Sequence, residues 1–137
     1  MTGPRARNIR CVGAVVFDSA RRLLLIQRTN EPGRGRWSVP GGRVQAGETD
    51  HHAVIREVAE ETGLEVKIVR RAGVVQRYEP GGAVFDIHDY VCLVTGGTLR
   101  AGDDADDARW CDAETLARLP IVEGLIDALT EWDCLPL

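Results

Sequence analysis

The sequence predicts an α+β fold, an α/β/α sandwich whose mixed β-sheet carries one helix on one face and C-terminal helices on the other. Three observations point to it. Short β-branched apolar runs flank a single central helical segment, that segment has start and stop signals at its two ends, and helical periodicity returns only near the C-terminus. The chain of 137 residues suits one domain with a proper core.

In chain order, residues 1–8 read as a frayed arm. The apolar run Cys11 to Phe17 reads as a buried strand, the stretch from Asp18 to Arg21 as a turn, and Leu23 to Ile26 as a second strand pairing with the first as a hairpin. Gln27 and Arg28 close that strand. The segment Thr29 to Arg36, with Pro32, Gly33 and Gly35, is a loop whose Arg34 and Arg36 serve either as substrate contacts or as solvated charges. Trp37 to Val39 is a short extended piece, and Pro40-Gly41-Gly42 turns the chain sharply, glycine allowing close approach of phosphate or metal-bound groups.

Thr49 or Asp50 caps a helix running to about Thr62, and Gly63 is its left-handed stop, with Leu64 folding back on Ala59. Its apolar side is expected to carry Ile55, Val58, Ala59 and Thr62. Val66 to Gln76 is strand-like, Tyr78 to Gly82 a turn, and Ala83 to Thr95 a strand. On that strand Asp86, His88 and Tyr90 share a face with Val84 and Cys92, as either pocket lining or a half-exposed strand. Gly96-Gly97 turns into the acid run Gly102 to Trp110. Residues 108–112 form a short strand, Asp112 or Ala113 starts a helix to Leu119, Pro120 breaks it, and Ile121 to about Trp132 is a terminal helix with Ile121, Leu125, Ile126 and Leu129 as its apolar side.

Composition narrows the class of function. Hydrophobic content of 44% with 28% charged residues is ordinary for a globular protein, no apolar run is long enough to span a bilayer, and no apolar signal core opens the chain. The cytoplasm is therefore the expected location. Cys11, Cys92, Cys111 and Cys134 lack CxxC spacing, which implies buried free thiols. Residues 1–36 carry eight arginines and two acids, residues 101–137 ten acids and two arginines, and Lys67 is the sole lysine. Arginine suits phosphate recognition, although a G+C-rich genome yields the same bias. The overall charge of −4 argues against a nucleic-acid binder, and nothing points to a membrane partner.

The chemistry lies in Gly42 to Leu64. On a helix, Glu57, Glu60 and Glu61 fall within an arc of roughly 100°. Like charges so placed repel, so a cation belongs among them. Closely spaced carboxylates supply oxygen ligands to a hard divalent ion, Mg²⁺ first and Mn²⁺ second, and such ions bind substrate phosphates as well. Arg56 is placed to steady a carboxylate in a bidentate pair, with Glu48 as its partner or as an added ligand.

The stretch resembles the signature of the Nudix hydrolases at every fixed position: Gly42, five residues, Glu48, seven residues, then Arg56-Glu57-Val58-Ala59-Glu60-Glu61-Thr62-Gly63-Leu64. The resemblance implies a Nudix-type sandwich and hydrolysis of a diphosphate linked to another moiety, by water attack on phosphorus. It implies Glu57, Glu60 and Glu61 as metal ligands, Glu60 and Glu61 foremost, with Glu57 alternatively the base, and with Glu48 and Arg56 orienting the set. A further carboxylate commonly comes from a loop beyond the signature, where Asp104 and Asp107 match by their spacing to Trp110. Gly41, Gly42, Arg28, Arg34 and Arg36 are the candidate substrate contacts. Pro80, sixteen residues after Leu64, resembles a marker of the ADP-ribose pyrophosphatases. The implied substrate is thus ADP-ribose or a related nucleoside diphosphate sugar. The alternatives are (d)NTP clean-up of the oxidised-nucleotide type and a non-catalytic nucleotide sensor. Relatives often dimerise, so a homodimer is admissible.

Overall fold

A computed structural model describes residues 7–102 and 105–137, the side chains of 105 and 106 excepted. Its elements are β1 (Arg7–Phe17), β2 (Leu23–Arg28), β3 (Trp37–Ser38), β4 (Gly41–Arg43), α1 (Asp50–Thr62), β5 (Leu64–Tyr78), β6 (Ala83–Gly97), β7 (Ala105–Cys111), α2 (Ala113–Arg118) and α3 (Leu125–Glu131). The strands form one mixed sheet in the order β3-β2-β1-β6-β5, with β4 also pairing β1 and β7 also pairing β2.

β1 is the spine. It runs parallel to β6 from Arg7↔Ala83 to Phe17↔Leu93, and its opposite edge receives β4 antiparallel through Cys11↔Arg43, Val12↔Gly42 and Gly13↔Gly41. Helices cover both faces, so Cys11 to Phe17 is buried throughout and reads as an unbroken apolar run instead of an alternating one. Alternation reappears in what each side chain meets. Val12, Ala14 and Val16 pack with Tyr90, Cys92 and the α1 residues Ala53, Val54 and Val58. Val15 and Phe17 pack with Leu23, Leu25, Leu116 and Leu129 under the C-terminal helices.

Several expected boundaries move. Residues 1–6 of the expected arm lie outside the described residues, while Arg7 and Asn8 already pair with Ala83 and Val84. Gly41-Gly42 is extended strand, not a sharp turn, because β1 offers it an edge. β7 starts at Ala105, earlier than residue 108, since Gln27 and Arg28 extend β2 and supply partners for Asp107 and Ala105. The terminal helix starts four residues late. Trp37 captures the preceding backbone, its N–H donating to the Pro120 carbonyl at 2.8 Å and its carbonyl accepting from Val122 at 3.0 Å, until Gly124, with φ 87°, redirects the chain into α3. Ile121 therefore bridges Trp37, and Leu129 is the buried residue of α3.

All four cysteines are free and buried, and burial pushes the Cys92 thiol up to about 12. Among the described residues, no helix is long and apolar enough to cross a membrane.

Candidate active site

The helix that carries the acids is fixed at both ends. Thr49 is its N-cap, Oγ1 accepting from the His52 N–H at 3.2 Å. Gly63 ends it with φ 74°, and a Cβ there would come within 2.7 Å of the Thr98 carbonyl. The Gly63 N–H donates to the Ala59 carbonyl at 2.9 Å, the Leu64 N–H donates to Thr62 Oγ1 at 3.3 Å, and the Leu64 side chain enters the core beside Val58 as β5 begins.

The buried stripe of α1 is Ala53, Val54, Val58, Glu61 and Thr62, about a quarter turn from the expected one. Ile55, 42% exposed, and Ala59 face outward. This rotation separates the three glutamates. Glu61 is carried inward to 4% exposure, where Oε1 accepts from the Gly41 N–H at 3.4 Å. Glu57 borders the same space, its carboxylate lying against the β4 backbone: a Cβ on Gly42 would sit 2.5 Å from Glu57 Oε1. Glu60 stays on the outer side, its side chain 54% exposed.

Arg56 joins these groups from behind. Its Nε and Nη2 donate to the two Glu48 oxygens at 2.6 and 2.9 Å, its Nη1 to Glu57 at 2.8 Å and Glu60 at 3.2 Å, and its Nη2 to the Arg43 carbonyl at 3.1 Å. The Arg56 guanidinium, helped by the Gln45 N–H, holds the Glu48 carboxyl down at about 2. The bidentate pair with Glu48 fixes the plane of the guanidinium, and through it the position of Glu57.

A cavity of about 480 Å³ opens in front of these carboxylates. Gly41, Gly42, Glu57, Glu61 and Arg28 line it, and Arg28 Nε donates to the Pro32 carbonyl at 2.8 Å. Arg34 and Arg36 do not line it; Arg36 instead donates to the Ile121 carbonyl at 3.2 Å. Asp107 is exposed on β7, its Oδ1 accepting from the Ala108 N–H at 2.8 Å, and Asp104 lies outside the described residues. The face holding Asp86, His88 and Tyr90 is not cavity lining. It builds a polar network at the start of α1, where Asp50 takes both Arg10, at 2.7 Å, and the Tyr90 hydroxyl, at 2.7 Å.

Three lining features escape the motif search. Phe85 carries the guanidinium carbons of Arg43 and Arg77 over its ring at 5.5 and 5.1 Å, forming a basic aromatic rim. Gly13 pairs Gly41 on one side and Asp89 on the other, leaving bare backbone between them. Asp89 itself is 6% exposed, and burial pushes its carboxyl up to about 7.

Glu57 and Glu61 offer oxygen donors only, and the missing Cβ of Gly42 keeps room for the Glu57 carboxylate. That set fits a hard divalent ion. Among the described residues no three His, Cys, Asp or Glu side chains gather around one point. An ion held here would therefore use substrate phosphate and water as further ligands, a habit of Mg²⁺.

Comparison with known proteins bears on family and fold. The family model for the NUDIX domain matches residues 7–132. An ADP-ribose pyrophosphatase of Methanocaldococcus jannaschii is 41% identical over 120 residues, 85% of this chain and 70% of that protein. The 8-oxo-dGDP phosphatase NUDT18 of Danio rerio is 34% identical over 125 residues, 85% of this chain but 37% of that longer protein. In fold, the chain superposes on a MutT protein from Methanosarcina mazei Go1 with a TM-score of 0.81, covering 96% of each chain at 23% identity.

Proposed function

This chain belongs to the NUDIX family of pyrophosphohydrolases, and from that premise we propose that it is a Mg²⁺-dependent enzyme cleaving the diphosphate of ADP-ribose or a related nucleoside diphosphate sugar. The observation that carries the reading is the shared cavity: Glu57 and Glu61 line one 480 Å³ space over a glycine strand, with Arg56 braced behind them. The relative from M. jannaschii, named for ADP-ribose, and the turn at Pro80 support the substrate class.

When bound, Mg²⁺ neutralises the diphosphate and lowers the pKa of the attacking water. The chain supplies placement and a proton acceptor. Water oxygen forms a new P–O bond, the bridging P–O bond breaks, the phosphate monoester leaves, and the released proton passes to a cavity carboxylate. Arg56 keeps Glu57 in place, while Glu48 keeps Arg56 in place. Glu60, held by Arg56 on the outer side of the same helix, is proposed as a further ligand, and Asp104 or Asp107 as the acid from beyond the helix. Arg28 meets substrate anion at the cavity wall.

The test is a nucleotide panel assayed with Mg²⁺, with Mn²⁺ and with chelator. AMP plus ribose 5-phosphate from ADP-ribose is the expected product pattern. Monophosphate plus pyrophosphate, formed from triphosphates alone, would move the assignment to nucleotide clean-up. Nucleotide binding without hydrolysis would make the domain a sensor.

A further inference from the structure

We propose that Asp89 is a specificity-determining residue whose carboxyl group, set over Gly13 in the cavity floor, hydrogen-bonds an N–H or O–H donor of the group attached to the diphosphate. The inference rests on the pyrophosphohydrolase reading for what enters the cavity, and on three independent observations for what Asp89 does there.

First, Asp89 is 6% exposed, yet no hydrogen bond or ion pair from any described residue reaches its carboxyl. Its oxygens open on the cavity, where a ligand can meet them, instead of being sealed in the core, and a charge left largely buried and unmet costs free energy. Core strands do not keep such a group for packing, where valine would serve. Second, the fold keeps a place open for it. A Cβ built on Gly13 would lie 1.8 Å from Asp89 Oδ1, so the carboxyl reaches over β1 into space that any other residue at position 13 would fill. Third, the register puts it beside the acid site. Asp89, Gly13 and Gly41 sit side by side across β6, β1 and β4, and the Gly41 N–H touches Glu61 Oε1 at 3.4 Å. Adjacent strands are about 4.8 Å apart. A diphosphate held at Glu57 and Glu61 thus places its attached sugar or base within reach of Asp89.

The ligand atom must be a donor. An ionised carboxyl only accepts, and a protonated one donates its O–H while its other oxygen still accepts, so in either state a ligand donor is met. A site with a buried acceptor strongly rejects analogues that leave it unmet. The donor is either a base N–H or a sugar hydroxyl, and the two can be separated by experiment.

The full chain and its Asp89→Asn and Asp89→Leu variants are titrated with AMP, GMP, CMP, ribose 5-phosphate and inorganic pyrophosphate, in chelator so that metal plays no part. The same proteins are assayed for kcat and KM with Mg²⁺ on the best substrate of the panel. Asp89→Leu is expected to weaken at least one organic phosphate tenfold or more while pyrophosphate binding shifts less than threefold. In turnover its KM should rise about tenfold, with the larger part of the loss in KM and not in kcat. Loss with the nucleotides alone marks a base N–H, and equal loss with ribose 5-phosphate marks a sugar hydroxyl. Unchanged affinities, equal loss for pyrophosphate, or a shifted Mg²⁺ requirement overturn the proposal. Absence of any hydrolysis by the unmodified chain instead counts against the enzymatic reading, leaving the binding titrations to decide on Asp89.

Discussion

At the scale of single residues, the site works through a division of labour among carboxylates that differ little in sequence. Glu61 is buried against the glycine strand, so Glu61→Gln changes charge with little change of shape. Turnover at saturating Mg²⁺ should fall by several orders of magnitude with an unaltered unfolding curve, and near-normal rates would remove Glu61 from the mechanism. Arg56 makes five hydrogen bonds at or under 3.2 Å to Glu48, Glu57, Glu60 and the Arg43 carbonyl, which a lysine ammonium cannot reproduce. Arg56→Lys should cut kcat/KM by about a hundredfold, given about 1.5–3 kcal/mol per charged hydrogen bond; an unchanged value refutes its orienting role. Asp89 carries a pH signature. Burial pushes its carboxyl up to about 7 in the folded chain from an ordinary 3.8, so the folded form holds a proton that the unfolded form releases. Stability therefore declines as pH rises from about 4 to about 7, by an amount on the order of 4 kcal/mol at 1.36 kcal/mol per unit. Denaturant midpoints of Asp89→Asn should lack this decline and exceed those of the unmodified chain at pH 8. A parallel decline in both proteins would show that Asp89 is not its source.

At the scale of elements, the glycine strand matters as much as the acidic helix. β4 carries Gly41 and Gly42 because a Cβ at the first would come 2.3 Å from the Val12 carbonyl and one at the second 2.5 Å from Glu57 Oε1. Gly42→Ala should displace the Glu57 carboxylate and lower kcat at least tenfold, while circular dichroism stays unchanged; full activity would mean that the packing of Glu57 is irrelevant to turnover. The caps of α1 were legible in the sequence, because Thr49 and Gly63 act through their own local chemistry. Its buried stripe was not. Periodicity ranks apolar residues and so favoured Ile55 and Ala59, whereas the sheet edge accepts Glu61 through a backbone contact that no hydropathy pattern encodes. The late start of α3 has the same origin, since Trp37 binds the segment at Pro120 and Val122 from far away in the chain.

At the scale of the whole molecule, the two faces of the sheet are separate investments. Leu129 is fully buried beneath α3, across the sheet from α1. Leu129→Ala should cost about 2–5 kcal/mol of stability and leave KM within twofold, as read by urea unfolding and steady-state assay. A large KM change would show that the packing around Leu129 reaches the cavity floor, which lies on the same sheet face. The sandwich itself and the acid-bearing helix could be read from the sequence, as both follow from local pattern. The cavity floor could not, because Asp89, Gly13 and Gly41 are distant in the chain and meet only through the parallel register of β1 with β6. No motif or periodicity marks Asp89 in the sequence. That register has a practical corollary for anyone wishing to retarget the protein. Libraries that randomise positions 13, 41 or 42 would destroy the vessel before altering its contents, whereas Arg28, Arg77 and Phe85 stand at its lip and can be exchanged without rebuilding the base.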